Sequence, residues 1–248
     1  MYHLLRTKRA QLAILILCTT CLFSRNSIAQ LRDRLNLPNS DDKFYHIGIV
    51  IMGAQTRFQL SQHSYFLQQD EVLSVYPENN IGLGLGGMHT FRISNRFSAR
   101  VVFPQLLFVN KSITYHLQHP NTFEGETAVM TQNIESIHLG LPVQLKFNSD
   151  RINNFRVYMM GGFKIETDLS SKARAKNAEN MIKLQKYDYG IEAGVGFNFY
   201  LPYFILSPEI KISNGLTNVH SRDAGYKFSN VIDKLQSRMI IFSLIFEG

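Results

Sequence analysis

Apolar residues recur at every second position in segment after segment of this chain, the spacing of strands whose two faces meet different surroundings. Ile137, Leu139, Leu141, Val143, Leu145 and Phe147 share one face of such a segment, and His138, Gly140, Gln144 and Lys146 share the other. Tyr187, Tyr189, Ile191, Ala193, Val195, Phe197 and Phe199 repeat the pattern against Asp188, Gly190, Glu192, Gly194, Gly196 and Asn198. Weaker versions run through 45–51, 81–93, 97–109, 155–165, 204–212 and 240–246, which makes eight predicted strands. The connections alternate too. Ser94-Asn95-Arg96, 149–154 and Leu201-Pro202-Tyr203 are short and turn-like, whereas 59–80, 117–133, 170–186 and 214–231 are long and polar.

Several segments approach the ~9–11 residues with which a tilted strand crosses a bilayer. Strict alternation of long and short connections predicts an all-β fold, an eight-stranded antiparallel up-and-down outer-membrane β-barrel with short periplasmic turns and long external loops. Closure pairs every backbone group, as lipid requires. A barrel this narrow is filled by its own side chains. Alternation assigns Lys146, Arg156, Lys164, Glu166, Asp188, Glu192, Glu209 and Lys211 to the lumen, a candidate plug network carrying both signs of charge. Gly82, Gly84, Gly86, Gly162, Gly190, Gly194 and Gly196 fall mainly on the same crowded face. Tyr45, Tyr158, Tyr187, Tyr189, Tyr200 and Tyr203 lie near strand ends, the expected place of interfacial girdles made without Trp.

The N-terminus reads as a targeting segment. Arg6, Lys8 and Arg9 precede an apolar stretch at 12–23, and Ser27-Ile28-Ala29 supplies small residues for a signal peptidase. This predicts a cleaved signal peptide at 1–29, a short periplasmic segment at 30–42 and a transmembrane barrel domain at 43–248. The cut changes the composition. Both cysteines, Cys18 and Cys21, leave with the peptide, so neither a disulfide nor a thiol nucleophile is expected afterwards. Arg6, Lys8, Arg9 and Arg25 leave as well, and the formal net charge falls from +7 to +3. That argues against a nucleic-acid partner.

Candidate chemistry is sparse. Gly82-Leu83-Gly84-Leu85-Gly86-Gly87 matches a dinucleotide fingerprint literally, but Pro77-Glu78-Asn79-Asn80 precedes it and strand-like residues follow, so a Gly-rich strand is expected. His116 and His119 lack a fixed third ligand. Ser112, Ser170 and His116 are scattered without a catalytic signature, and no enzyme, cofactor or metal is expected. The loop 170–186 carries Lys172, Arg174, Lys176, Lys183 and Lys186 against Glu179, a candidate basic patch for lipopolysaccharide or an acidic partner.

Whole segments resemble the PorT/SprT family of type IX secretion proteins. These are Asp41-Asp42-Lys43-Phe44-Tyr45-His46, Arg151-Ile152-Asn153-Asn154-Phe155-Arg156, the run from Tyr187 through Tyr200-Leu201-Pro202-Tyr203-Phe204 into Ser207-Pro208-Glu209-Ile210-Lys211, and Ile232-Asp233-Lys234-Leu235. The likeness spans roughly 41–247 and is densest from Lys146 onward. It implies an integral outer-membrane protein needed for type IX protein secretion to the cell surface, and for gliding motility in gliding species. Such a protein is a machine component without catalytic residues. Its implied partners are outer-membrane lipid, lipopolysaccharide and other type IX translocon components. The competing expectations are a generic small outer-membrane barrel for adhesion or envelope integrity, and an outer-membrane lipid acylase.

Overall fold

The computed structural model describes residues 35–121, 126–170, 182–223 and 225–248. The predicted signal peptide, with both cysteines, lies outside them. Nine strands form: β1 (Tyr45–Gln62), β2 (Val72–Pro77), β3 (Asn80–Arg92), β4 (Phe97–Leu117), β5 (Val129–Asn148), β6 (Phe155–Asp168), β7 (Tyr187–Tyr200), β8 (Ile205–Gly215) and β9 (Ile232–Glu247). A short helix, α1 (Lys227–Asn230), precedes the last strand. All pairings are antiparallel. Starting from β4, the order β4-β3-β1-β9-β8-β7-β6-β5 returns to β4 and closes a ring of eight. β2 stands outside that ring and continues along β4 beyond the end of β3.

The strands outrun the expectation at the long-loop end. β1 reaches Gln62, β4 reaches Leu117, and β5 begins at Val129. The hydrophobic signal had stopped because the outward residues there are polar: Asn110, Ser112 and Thr114 on β4, and Thr131, Asn133 and Glu135 on β5. Backbone pairing continues where lipid contact ends. The expected loop at 59–80 likewise contains β2.

Along the middle of the wall the outward residues form a continuous apolar band, including Ile47, Ile49 and Ile51 on β1 and Ile240, Phe242 and Phe246 on β9. At the short-turn end rings pair across strands: Tyr45 with Phe91 at 5.2 Å, Phe97 with Phe147 at 5.2 Å, Phe155 with Phe199 at 5.3 Å and Phe204 with Phe246 at 5.8 Å. Phenylalanine therefore builds most of this girdle. Tyr158 and Tyr200 turn inward and are buried, contrary to the expectation, because they occupy the inward phase of β6 and β7. Tyr187 and Tyr189 point outward at the opposite end of β7.

One irregularity governs the interior. On β4 the buried phase runs through Ser98, Arg100 and Val102, then shifts by one residue at Phe103–Pro104 to Gln105, Leu107, Val109 and Lys111. A bulge of this kind leaves extra residues unpaired and re-aims every side chain beyond it. Plain alternation would have turned Lys111 toward solvent; instead it is buried.

Candidate functional site

The lumen wall has a charged half. Arg100 on β4 and Glu209 on β8 form an ion pair of 2.6 Å, and the Tyr158 hydroxyl donates to the same Glu209 oxygen at 2.8 Å. Lys146 sits 3.9 Å over the Tyr158 ring, with the Arg100 guanidinium 5.3 Å from the same ring. Further along, Glu192 accepts from Gln144 at 2.7 Å and from Lys211 at 3.2 Å. Lys164 pairs with Glu166 at 2.8 Å, and His138 lies 3.7 Å from that carboxylate. Asp188 is buried beside Glu166 in the β6–β7 register. Buried charges must be paired and hydrogen-bonded to be tolerated, and here both signs are interleaved.

Glycines give these long side chains room. Gly190 stands opposite Lys164, where an added Cβ would lie 2.7 Å from the lysine Cε. Gly196 stands opposite both Tyr158 and Glu209, where a Cβ would run into the tyrosine ring. Each big inward group thus lies across a neighbouring strand that has no side chain in the way.

The other half is apolar. Val50, Met52, Ala54, Met88, Val102, Leu107, Val109, Met239, Ile241 and Ile245 from β1, β3, β4 and β9 pack as one cluster. Toward the long-loop end a second cluster includes Phe58, Ile113, Tyr115, Val231, Ile232 and Leu235, roofed by Phe228 of α1, whose ring meets Tyr115 at 4.9 Å. Lys111 lies beneath it, donating to Ser237 at 2.7 Å.

The short-turn mouth is crossed by the segment before β1. Asp41 receives Arg156 at 2.8 Å, Arg151 at 3.3 Å and the Tyr200 hydroxyl at 2.8 Å. Asn36 donates to the Tyr200 carbonyl at 2.9 Å and to the Asn154 side chain at 2.8 Å. Behind this latch lies a mixed-charge vestibule of about 270 Å³, lined by Lys146, Asn198 and Glu247 among others. Asn153 turns the β5–β6 connection with φ 55°, a left-handed conformation that Asn tolerates.

Of the eight lumenal candidates, Lys164, Glu166, Asp188, Glu192, Glu209 and Lys211 lie together in the charged half. Lys146 is buried with them and rests on an aromatic ring. Arg156 does not join: it sits at the mouth, bonded to Asp41. The candidate network left out Arg100, Tyr158 (expected in a girdle), and His138 and Gln144, although the last two had been placed on the face of Lys146. Arg100 and Gln144 were legible from the inward phases of their strands, opposite the apolar outward residues, whereas Lys111 needed the β4 bulge. Of the basic loop, Lys172, Arg174 and Lys176 lie outside the described residues. Lys183 pairs with Asp223 at 3.0 Å, and Lys186 sits 5.2 Å from the Tyr187 ring. The Lys183 hydrogen bond holds the Asp223 carboxyl below its ordinary range, aided by the Gly225 amide. Lys183 is thus engaged within the chain. Ser112 bonds to Asn133 and Ser170 lies by the Ile137 amide, so they do not converge with His116, which packs on Tyr76. Among the described residues, no group of three metal-ligating side chains gathers. The Gly82–Gly87 run is strand β3.

No curated protein matches this sequence. Among solved structures, the chain is similar to the outer membrane protein OprG from Pseudomonas aeruginosa, at 10% identity and a TM-score of 0.44, covering 81% of this chain and 95% of that one. It is similar to Neisserial surface protein A at 9% identity and a TM-score of 0.38, covering 82% and 97%. It is also similar to Ail, the attachment invasion locus protein of Yersinia pestis, at 11% identity and a TM-score of 0.37, covering 83% and 100%, in a complex with the heparin analogue sucrose octasulfate. A closed antiparallel ring wrapped in an apolar band agrees with the match, over residues 45–221, to the outer membrane protein beta-barrel domain; the chain belongs to that family and is an integral protein of the outer membrane.

Proposed function

We propose that this barrel is a non-enzymatic component of type IX protein secretion, acting on other translocon parts through its rims and outer wall. The observation that carries the reading is the β7–β8 segment. The stretch from Tyr187 to Lys211 bears the densest likeness to the secretion family, and its inward Glu192, Gly196, Glu209 and Lys211 help build the buried network. An interior filled by paired charges and an apolar cluster suits a machine part better than a conduit for a folded cargo. The latch of Asp41 on Arg151, Arg156 and Tyr200 supports the same view, since it ties the preceding segment across the periplasmic mouth.

Deleting the gene is expected to abolish surface delivery of type IX cargo while exclusion of detergent and large antibiotics by the outer membrane persists. Normal cargo delivery in the deletion strain defeats the role. The family match, general to outer-membrane barrels, also suits a barrel for adhesion or envelope integrity. Purified protein that co-isolates with secretion components favours the first reading; a leaky envelope with intact secretion favours the second.

A further inference from the structure

Just beyond the apolar band the lipid-facing wall changes character on β1 and β9. Arg57 and Arg238 stand directly opposite one another in the strand register, both exposed on the outward face. Immediately below them, Gln55 lies between Ile240 on β9 and Ile81 on β3, the last apolar residues of the band there. Like charges directly opposite across two strands repel. The outward neighbours Gln55, Gln59, Gln236 and Asn214 are uncharged amides, and neither guanidinium has a hydrogen-bond or ion-pair partner among the described residues. Further out, Lys234 and Asp233 add one charge of each sign. The acid nearest Pro77 in sequence, Glu78, is engaged by the Thr114 hydroxyl.

The sheet opens at this level. β3 begins at Asn80, opposite Thr56, so β1 from Arg57 to Gln62 pairs with β9 only. β2 pairs with β4 only. Between the two unpaired edges lies an open cleft of about 430 Å³, bordered by Arg57, Arg238, Gln59, Gln62, Leu60 and Pro77.

We propose that this cleft binds a phosphate-bearing glycolipid headgroup of the outer leaflet, of the lipid A class. A phosphate between the two guanidiniums relieves their repulsion, and each planar fork can hold phosphate oxygens through paired N–H groups. The amides of Gln59 and Gln62 offer donors for further phosphate or sugar oxygens. The height fits: the headgroup sits at the arginines, and its acyl chains run down over Ile240, Phe242, Ile81 and Ile51, all exposed. The basic loop at 170–186 was the sequence-based candidate for such a contact, but its Lys183 is already paired with Asp223. This site stands independently of the secretion role, and its test reads lipid binding rather than cargo delivery.

The test uses the full-length protein in nanodiscs of zwitterionic phospholipid, titrated with bisphosphorylated lipid A and with the same lipid after dephosphorylation. The wild type is expected to favour the phosphorylated form by about tenfold or more. Arg57→Gln with Arg238→Gln abolishes that preference, and Arg57→Lys with Arg238→Lys retains part of it, folding being checked by heat-modifiable migration. Should the glutamine pair not fold, the wild-type comparison of the two lipids decides. Equal binding of both lipids by the wild type, or an unchanged preference in the folded glutamine pair, overturns the site. Displacement of the lipid by an equal concentration of inorganic phosphate overturns the glycolipid in favour of a free anion.

Discussion

The half of the barrel formed by β9, β1, β3 and β4 turns Val50, Met52, Leu107 and Ile241 inward, while β5 to β8 turn Lys164, Glu166, Glu192 and Lys211 inward. The ring, the outer apolar band and the backbone pairing are shared by both halves. Their interiors differ in what they demand. The apolar half packs as a soluble core does, where shape decides and most hydrophobic sets of similar volume serve. The charged half depends on matched partners, because a buried charge without its counter-ion is far more costly than a small void. The apolar half also makes β1 and β9 greasy on both faces, so their alternation is faint, whereas β5 and β7 show it clearly.

Removing a partner in the charged half should give the largest effect. Glu209→Gln leaves the Arg100 guanidinium, 1% exposed, without its carboxylate, and is expected to destabilise the folded barrel by about 4 kcal/mol. Guanidinium unfolding in lipid vesicles, followed by tyrosine fluorescence, measures it. Replacing both members, Arg100→Leu with Glu209→Leu, should recover most of that loss, since no lone charge remains. If the double variant is worse than the single one, the network is cooperative beyond this pair, and the contrast sharpens.

On the apolar side Leu107→Ala empties a fully buried site facing Gly84. The expected loss is about 3 kcal/mol by the same measurement. A loss above that of Glu209→Gln would break the contrast between the halves.

The smallest effect belongs to an ion pair beside the external roof. Burial by itself would raise the Glu126 carboxyl, but the hydrogen bond from Lys227, the Asn121 amide and the Lys227 charge outweigh it and hold the group below its ordinary range. Its folded pKa is depressed, so its stabilising contribution is present above the ordinary glutamate pKa near ~4.3 and disappears as pH falls through the lower folded value. Lys227→Gln should therefore cost about 1 to 2 kcal/mol at neutral pH, because water still reaches the lysine and the Asn121 amide still serves the carboxylate. That difference should vanish in strong acid, which unfolding midpoints across a pH series would show. A pair of equal charge thus matters less where one partner still meets water than where both lie inside the wall.

Much of this was legible in the chain. Period-two spacing at 137–147 and 187–199 placed lipid-facing and lumenal residues correctly on β5 and β7, because side-chain direction alternates locally and needs no partner strand. The rhythm of short and long connections gave the eight-membered ring for a similarly local reason: a tight turn leaves only an adjacent antiparallel neighbour. Residues 155–165 placed Arg156 on an inward phase, but its partner Asp41 comes from a segment distant in sequence, so the mouth and the network could not be separated.

The amino-acid order by itself therefore determined the strand count of the ring, the inward and outward faces of regular strands such as β5 and β7, and the lipid-exposed band. Only the tertiary structure decided the register that sets Gly190 against Lys164 and Gly196 against Tyr158, the β4 bulge that buries Lys111, and the open edge beside Arg57 and Arg238. The physical reason is range: alternation is a property of one strand, while register, bulges and unpaired edges are properties of two, fixed by which inward groups fit past one another once the ring is closed.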